Sequence, residues 1–205
     1  MTAAPGGGIG DRVFTVPNLL SLVRLILIPV FVYLLLGTDQ AAANAWAVGI
    51  LMFSGASDWL DGKIARSFQG QSSRLGELLD PAVDRLYMIT IPISFGLAGL
   101  IPWWMIAVLI VRDGLLALML PVLRSRGLTA LPVTYVGKAA TFALMTAFPL
   151  ILLGQWDALW SRVIGACGWG FLIWGIGMYL WAFVLYVIQL VLVVRQLPKV
   201  SKARR

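Results

Sequence analysis

The 205-residue chain has no histidine and a single cysteine, Cys167. Without imidazole there is no serine–histidine triad, no histidine metal site and no histidine general base. One cysteine excludes an internal disulfide and a cysteine metal cluster. In its apolar, small-residue setting Cys167 reads as packing. Charge is scarce as well. Charged residues make up 12% of the chain and only nine are acidic; a soluble domain carries about 25%. Any base must therefore come from another side chain, and any metal must be one that accepts oxygen ligands.

Hydrocarbon is what the chain has in abundance. Hydrophobic residues make up 60% of it, and the mean hydropathy is +0.90. Several apolar runs reach the roughly 20 residues that cross a bilayer as a helix. The expected fold class is all-α, a polytopic membrane protein built as a bundle of six transmembrane helices. The spans are expected near 19–36, 41–60, 77–97, 103–123, 139–153 and 166–194. Residues 1–16 read as a flexible N-terminus, 17–194 as the six-helix domain and 195–205 as a basic tail. The first residues are small, with no basic stretch before a short apolar run, so no cleavable signal peptide is expected. Trp103 and Trp104 mark a membrane interface. Trp169, Trp174 and Trp181 read as lipid-facing or interfacial, and 155–165 reads as an outer loop.

A net charge of +7 could suggest nucleic acid. No basic, aromatic-interleaved soluble module accompanies it, and the cations cluster in loops and a tail that anionic headgroups attract. Arg12, the 63–85 group, the 124–138 group and the tail together hold 13 of the 16 Lys and Arg residues. Placing that side in the cytoplasm puts both termini there too. Arg24 and Arg112 fall inside spans, where a charge is expensive. Arg24 reads as a structural or headgroup-facing charge.

The acidic residues concentrate. Five of the nine lie between Asp58 and Asp84, at the cytoplasmic edge of the second and third spans. Asp58 and Asp61 are three apart and Asp80 and Asp84 four apart, so each pair shares a helix face. Brought together by an antiparallel helix pair, four carboxylates repel unless cations neutralise them. Oxygen-only ligands suit two Mg²⁺ ions, or Mn²⁺ in their place. Paired metals suit transfer at phosphorus. Gly62 and Gly76 let a ligand approach the backbone closely, and Ala65 keeps the surface low. Arg66 can grip a phosphate with two parallel hydrogen bonds, and Ser73 can add a hydroxyl contact. A cation channel or transporter would spread carboxylates through the membrane depth; here they sit at one edge beside glycine and arginine. A scaffold or lipid-binding protein without activity is a further alternative.

The pattern Asp58-x2-Asp61-Gly62-x2-Ala65-Arg66-x9-Gly76-x3-Asp80-x3-Asp84 resembles the signature of the CDP-alcohol phosphotransferase family. The resemblance extends to Asn18-x2-Ser21-x2-Arg24-x4-Pro29 and, more loosely, to Arg112-Asp113 and Gly137-Lys138, about two-thirds of the chain. It implies six transmembrane helices, a homodimer, two divalent ions and a CDP-linked donor. It implies that Asp58 and Asp80 bridge both metals, with Asp61 on one and Asp84 on the other. Asp84 is also the implied general base. Gly62, Arg66 and Ser73 would meet the CDP moiety, with Ala65 and Gly76 alongside, and Asn18 to Ser21 would close the nucleotide side.

The same wording resembles members that use CDP-diacylglycerol and glycerol-type acceptors. Two reactions fit: phosphatidylglycerol to cardiolipin, and glycerol 3-phosphate to phosphatidylglycerophosphate, each with CMP released. An inositol-phosphate acceptor is a further alternative. An anionic acceptor needs cations, and Arg112, Lys138 and Arg195 are the candidates. Arg112 could equally be held by a carboxylate such as Asp113. Phosphatidylglycerophosphate synthases usually carry Glu where this chain has Asp113, which favours the cardiolipin reaction.

Overall fold

The computed structural model describes residues 16–38, 41–67, 76–126, 128 and 134–196, with side chains for all of these except 16–18, 41–43, 58–67 and 76–81. Six helices follow one another: α1 (Val16–Gly37), α2 (Ala41–Ser67), α3 (Gly76–Leu97), α4 (Trp103–Arg124), α5 (Tyr135–Leu153) and α6 (Leu159–Gln196). The described residues contain no strand. Four helices among them are long and apolar enough to cross a membrane: α1 from Leu19, α4, α5 and α6. In α2 and α3 charged residues crowd the facing ends, Asp58 to Arg66 and Glu77 to Arg85.

The chain divides into two compact units, Met1–Ser94 and Phe95–Arg205. In the first, α1 packs on α2. The buried residues of α1 are Ser21, Arg24, Ile28 and Phe31, at steps of three and four that make one helical stripe. On α2 the buried positions Ala47, Leu51 and Ser54 follow the same alternation. Continued at those steps, the register reaches Asp58, Asp61 and Ala65. In the sequence this register reads alanine and leucine, then serine, then aspartate. Pro29 lies inside α1 without ending it.

In the second unit α6 packs along α5 and touches α4. Ser161, Gly168, Gly175 and Ala182 are all buried and fall seven residues apart, with Leu172 and Tyr179 between them. A strict seven-residue spacing keeps one stripe facing one neighbour, and small residues let the backbones meet closely. At Gly168 the approach is tight enough to need glycine. A Cβ there would sit 2.7 Å from the Ile151 backbone nitrogen. Ala140, Ala143, Leu144, Ala147 and Ile151 line the facing side of α5.

Three boundaries differ from the sequence expectation. The second helix runs on through Ser67 instead of ending near Leu60; no proline intervenes, and one glycine costs a helix only about 1 kcal/mol. The fifth begins at Tyr135 because Thr134 caps it, its Oγ1 accepting from the Gly137 nitrogen at 3.2 Å. The sixth begins at Leu159, seven residues early, so Arg162 lies on its first turn. The connection before it shrinks to 154–158, where Ser161 Oγ donates to the Ala158 carbonyl at 2.8 Å and to that of Trp156. At about 1.5 Å per residue the 38 residues of α6 make it longer than the roughly 30 Å of a bilayer core. Cys167 is exposed on α6 and not packed as expected. Trp174 and Trp181 are exposed, as a lipid-facing reading requires.

Candidate active site

All of the first half of the acidic motif stands on helix. Asp58, Asp61, Gly62, Ala65 and Arg66 lie within α2, at steps of three, four, seven and eight from Asp58. Such steps keep the five positions on one side of a helix. Gly76, Asp80 and Asp84 lie on α3, four apart, beginning at its first residue. The motif is thus two helical stripes, one at the C-terminal end of α2 and one at the N-terminal end of α3. Ser73 lies outside the described residues. So do the side chains of Asn18, Asp58, Asp61, Arg66 and Asp80.

Asp84 is the motif carboxylate whose surroundings are described. Arg24 Nη1 donates to its Oδ1 at 3.0 Å. The two ends of this pair are unlike. Arg24 is 5% exposed, while the Asp84 side chain is 51% exposed. A buried guanidinium holds a carboxylate that still faces outward. The sequence reading placed Arg24 as a structural or headgroup charge; the structure gives it a motif aspartate as partner. Ser21, one turn earlier on α1, is fully buried on the same stripe.

The donor chemistry fits a hard divalent cation. The four motif aspartates stand with no imidazole or thiolate nearby in sequence, and such donors favour Mg²⁺ or Mn²⁺. Among the described residues no three acidic, histidine or cysteine side chains gather into a cluster; three of the four motif aspartates lie outside that set. The outward face of Asp84 leaves that carboxylate approachable.

The second unit holds a different polar group. Arg112, only 7% exposed, donates from Nη1 to Asp113 Oδ1 at 2.9 Å. Tyr179 of α6 donates its hydroxyl to the same oxygen at 2.6 Å. Its ring also lies under the guanidinium, 3.7 Å from Cζ to the ring centroid. Arg112 Nε is buried with no hydrogen-bond partner among the described residues. Of the three cations considered for the acceptor, Arg112 is therefore buried and paired. Lys138 is exposed on the first turn of α5, its Nζ 5.9 Å from the Tyr135 ring centroid. Arg195 is exposed at the end of α6. Sequence reasoning missed Tyr179. Its signal was its place in the seven-residue stripe of α6, where a buried tyrosine needs a partner for its hydroxyl.

These features define an all-helical protein with four long apolar helices and an acidic motif carried on α2 and α3. A family model for CDP-alcohol phosphatidyltransferase matches residues 14–181, and the chain belongs to that family. A Mycobacterium tuberculosis protein named "Putative cardiolipin synthase" is 67% identical over 166 residues, covering 81% of this chain and 78% of that one. A Streptomyces coelicolor "Cardiolipin synthase (CMP-forming)" is 43% identical over 167 residues, covering 80% and 77%. A "Probable phosphatidylglycerophosphate synthase" of M. tuberculosis is 32% identical over 145 residues, covering 69% and 68%. The protein is a phosphatidyltransferase of phospholipid biosynthesis that uses CDP-diacylglycerol and an alcohol acceptor. The family generally depends on a divalent metal.

Proposed function

We propose that this chain joins CDP-diacylglycerol to phosphatidylglycerol, making cardiolipin and releasing CMP. The observation that carries the donor half is the two-stripe acidic motif on α2 and α3. The acceptor half is supported by the 67% and 43% identical relatives, both named as cardiolipin synthases, and by Asp113 after Arg112. The reading with glycerol 3-phosphate as acceptor keeps support from the 32% identical relative. Arg112, Lys138 and Arg195 remain the candidate cations for an anionic acceptor.

Asp84 serves as the base. It takes the proton of the acceptor hydroxyl while that oxygen bonds to the phosphorus bearing the diacylglycerol. The pyrophosphate bond breaks, and its electron pair leaves with the phosphate of CMP. Asp58, Asp61, Asp80 and Asp84 would hold two Mg²⁺ or Mn²⁺ ions, which would polarise the phosphoryl oxygens and neutralise the charge on the departing CMP. Gly62, Ala65 and Gly76 leave room for the donor, Arg66 and Ser73 contact its CDP moiety, and Asn18 and Ser21 close the nucleotide side. All six helices cross the membrane, both termini and the motif face the cytoplasm, and the protein works as a homodimer in the cell membrane.

Purified protein with labelled CDP-diacylglycerol and Mg²⁺ tests this directly. Phosphatidylglycerol and glycerol 3-phosphate are offered separately, and CMP and the lipid product are measured. Cardiolipin formed from phosphatidylglycerol is the expected result. Turnover with glycerol 3-phosphate alone would replace the acceptor, and no CMP from either would remove the reading.

A further inference from the structure

We infer that Arg24 is a positioning residue for the Asp84 carboxylate and the resident counter-charge of the acidic motif, so that it sets how tightly the site takes a divalent cation. The inference rests on the reading of the four aspartates as a metal site. It starts from α1 itself. The segment Val16–Gly37 contains no acidic residue, so a cation placed in it must find its partner on another element. Arg24 stands in the buried stripe of Ser21, Ile28 and Phe31 and is itself 5% exposed. A guanidinium so placed is costly unless a charged group meets it. Asp84 Oδ1 meets it at 3.0 Å, from the third turn of α3.

Two consequences follow. A buried, packed arginine holds its planar fork in one direction, and a carboxylate bonded to it loses a rotation it would otherwise have. Asp84, half exposed, is thereby held from α1 by a buried, charged donor. Arg24 is also one positive charge in direct contact with a proposed metal ligand. It lowers the net negative charge that a divalent cation meets. Orientation and affinity therefore pull in opposite directions: Arg24 improves the geometry of turnover while weakening the hold on the ion. A residue that merely kept α1 in place would not separate the two.

The test uses full-length protein in detergent micelles, with Mn²⁺ as the probe, read by the loss of the free Mn²⁺ paramagnetic signal. Arg24→Gln removes the charge. It is expected to bind Mn²⁺ about tenfold more tightly while CMP release falls about a hundredfold. Arg24→Lys keeps the charge without the fork. It should bind Mn²⁺ within about twofold of the parent and lose part of the turnover. Melting temperatures of both variants are measured alongside, so that affinities are compared on folded protein. Mn²⁺ affinity in Arg24→Gln that is equal to or weaker than in the parent overturns the inference while leaving the metal site standing. A parent protein that binds no Mn²⁺ overturns both.

Discussion

Replacing Tyr179 with phenylalanine isolates one hydrogen bond in the buried group of the second unit. The ring stays over Arg112, 3.7 Å from its Cζ, and only the 2.6 Å bond to Asp113 is lost. A hydrogen bond to a charged group contributes about 1.5–3 kcal/mol in water-soluble proteins, but interhelical bonds in membranes reach at most about 1.7. Arg112 retains its own bond to Asp113 at 2.9 Å, so the carboxylate is not abandoned. Tyr179→Phe should therefore lower the unfolding free energy by about 0.6–1.7 kcal/mol. Tyr179→Ala removes the ring as well. The cation–π contact is worth about 2 kcal/mol when desolvated, and truncating a buried aromatic costs about 3–5 kcal/mol. These terms overlap, and a total of about 4 kcal/mol is expected. Reversible unfolding in mixed detergent micelles, followed by tryptophan fluorescence, measures both. If the Phe variant stays within about 0.3 kcal/mol of the parent, the hydroxyl is not a working contact. If the Ala variant is no worse than Phe, the ring does not hold Arg112. The same variants report on the acceptor: if Arg112 meets it, Tyr179→Phe raises the acceptor KM and leaves that for CDP-diacylglycerol unchanged.

Three further outcomes are expected. Asp84→Asn should lose turnover by at least about a hundredfold, the lower end of general-base contributions, while equilibrium binding of CDP-diacylglycerol persists; full activity would remove Asp84 as the base. Gly168→Ala drives a Cβ to 2.7 Å from backbone that cannot rotate away, whereas Gly170→Ala meets nothing within 4 Å. The first should destabilise by about 1–3 kcal/mol and the second stabilise by up to about 1 kcal/mol, compared in the same unfolding assay. Removal of divalent ions by a chelator should stop CMP release, and Mg²⁺ or Mn²⁺ should restore it where Ca²⁺ restores less, because its larger shell takes more ligands.

Much of this was legible in the residues because it depends on composition and short-range spacing. Apolar runs mark helices whatever they pack against, and the Asp58–Asp84 stretch announces itself as charge where charge is rare. The ends of helices were less legible. Thr134 starts α5 through a cap that competes with loop geometry over a few residues, and nothing after Leu60 compels α2 to stop. Cys167 shows the same limit from another side. In a membrane helix the lipid-facing and buried faces are both apolar, so periodicity says little about which one a small residue takes. The exception is a run of small residues at one spacing, as at Ser161, Gly168, Gly175 and Ala182.

The two buried arginines show why partner choice carries functional meaning that burial alone does not. Both sit in apolar helices and both are more than nine-tenths buried. Arg112 is answered by the next residue in the chain and by a tyrosine whose hydroxyl and ring serve the same pair. Its carboxylate comes from its own helix, and the tyrosine from α6 completes the group without engaging the acidic motif. Arg24 has no acidic residue on its own helix and is answered from 60 positions away, by the last aspartate of the motif. A cation needed only for the fold could be neutralised without engaging that residue. A carboxylate shared between a buried arginine and a divalent ion is instead held in a balance, where strengthening one contact weakens the other. That competition is why substitution at Arg24 should change metal affinity and turnover in opposite senses, while substitution at Tyr179 should act first on stability.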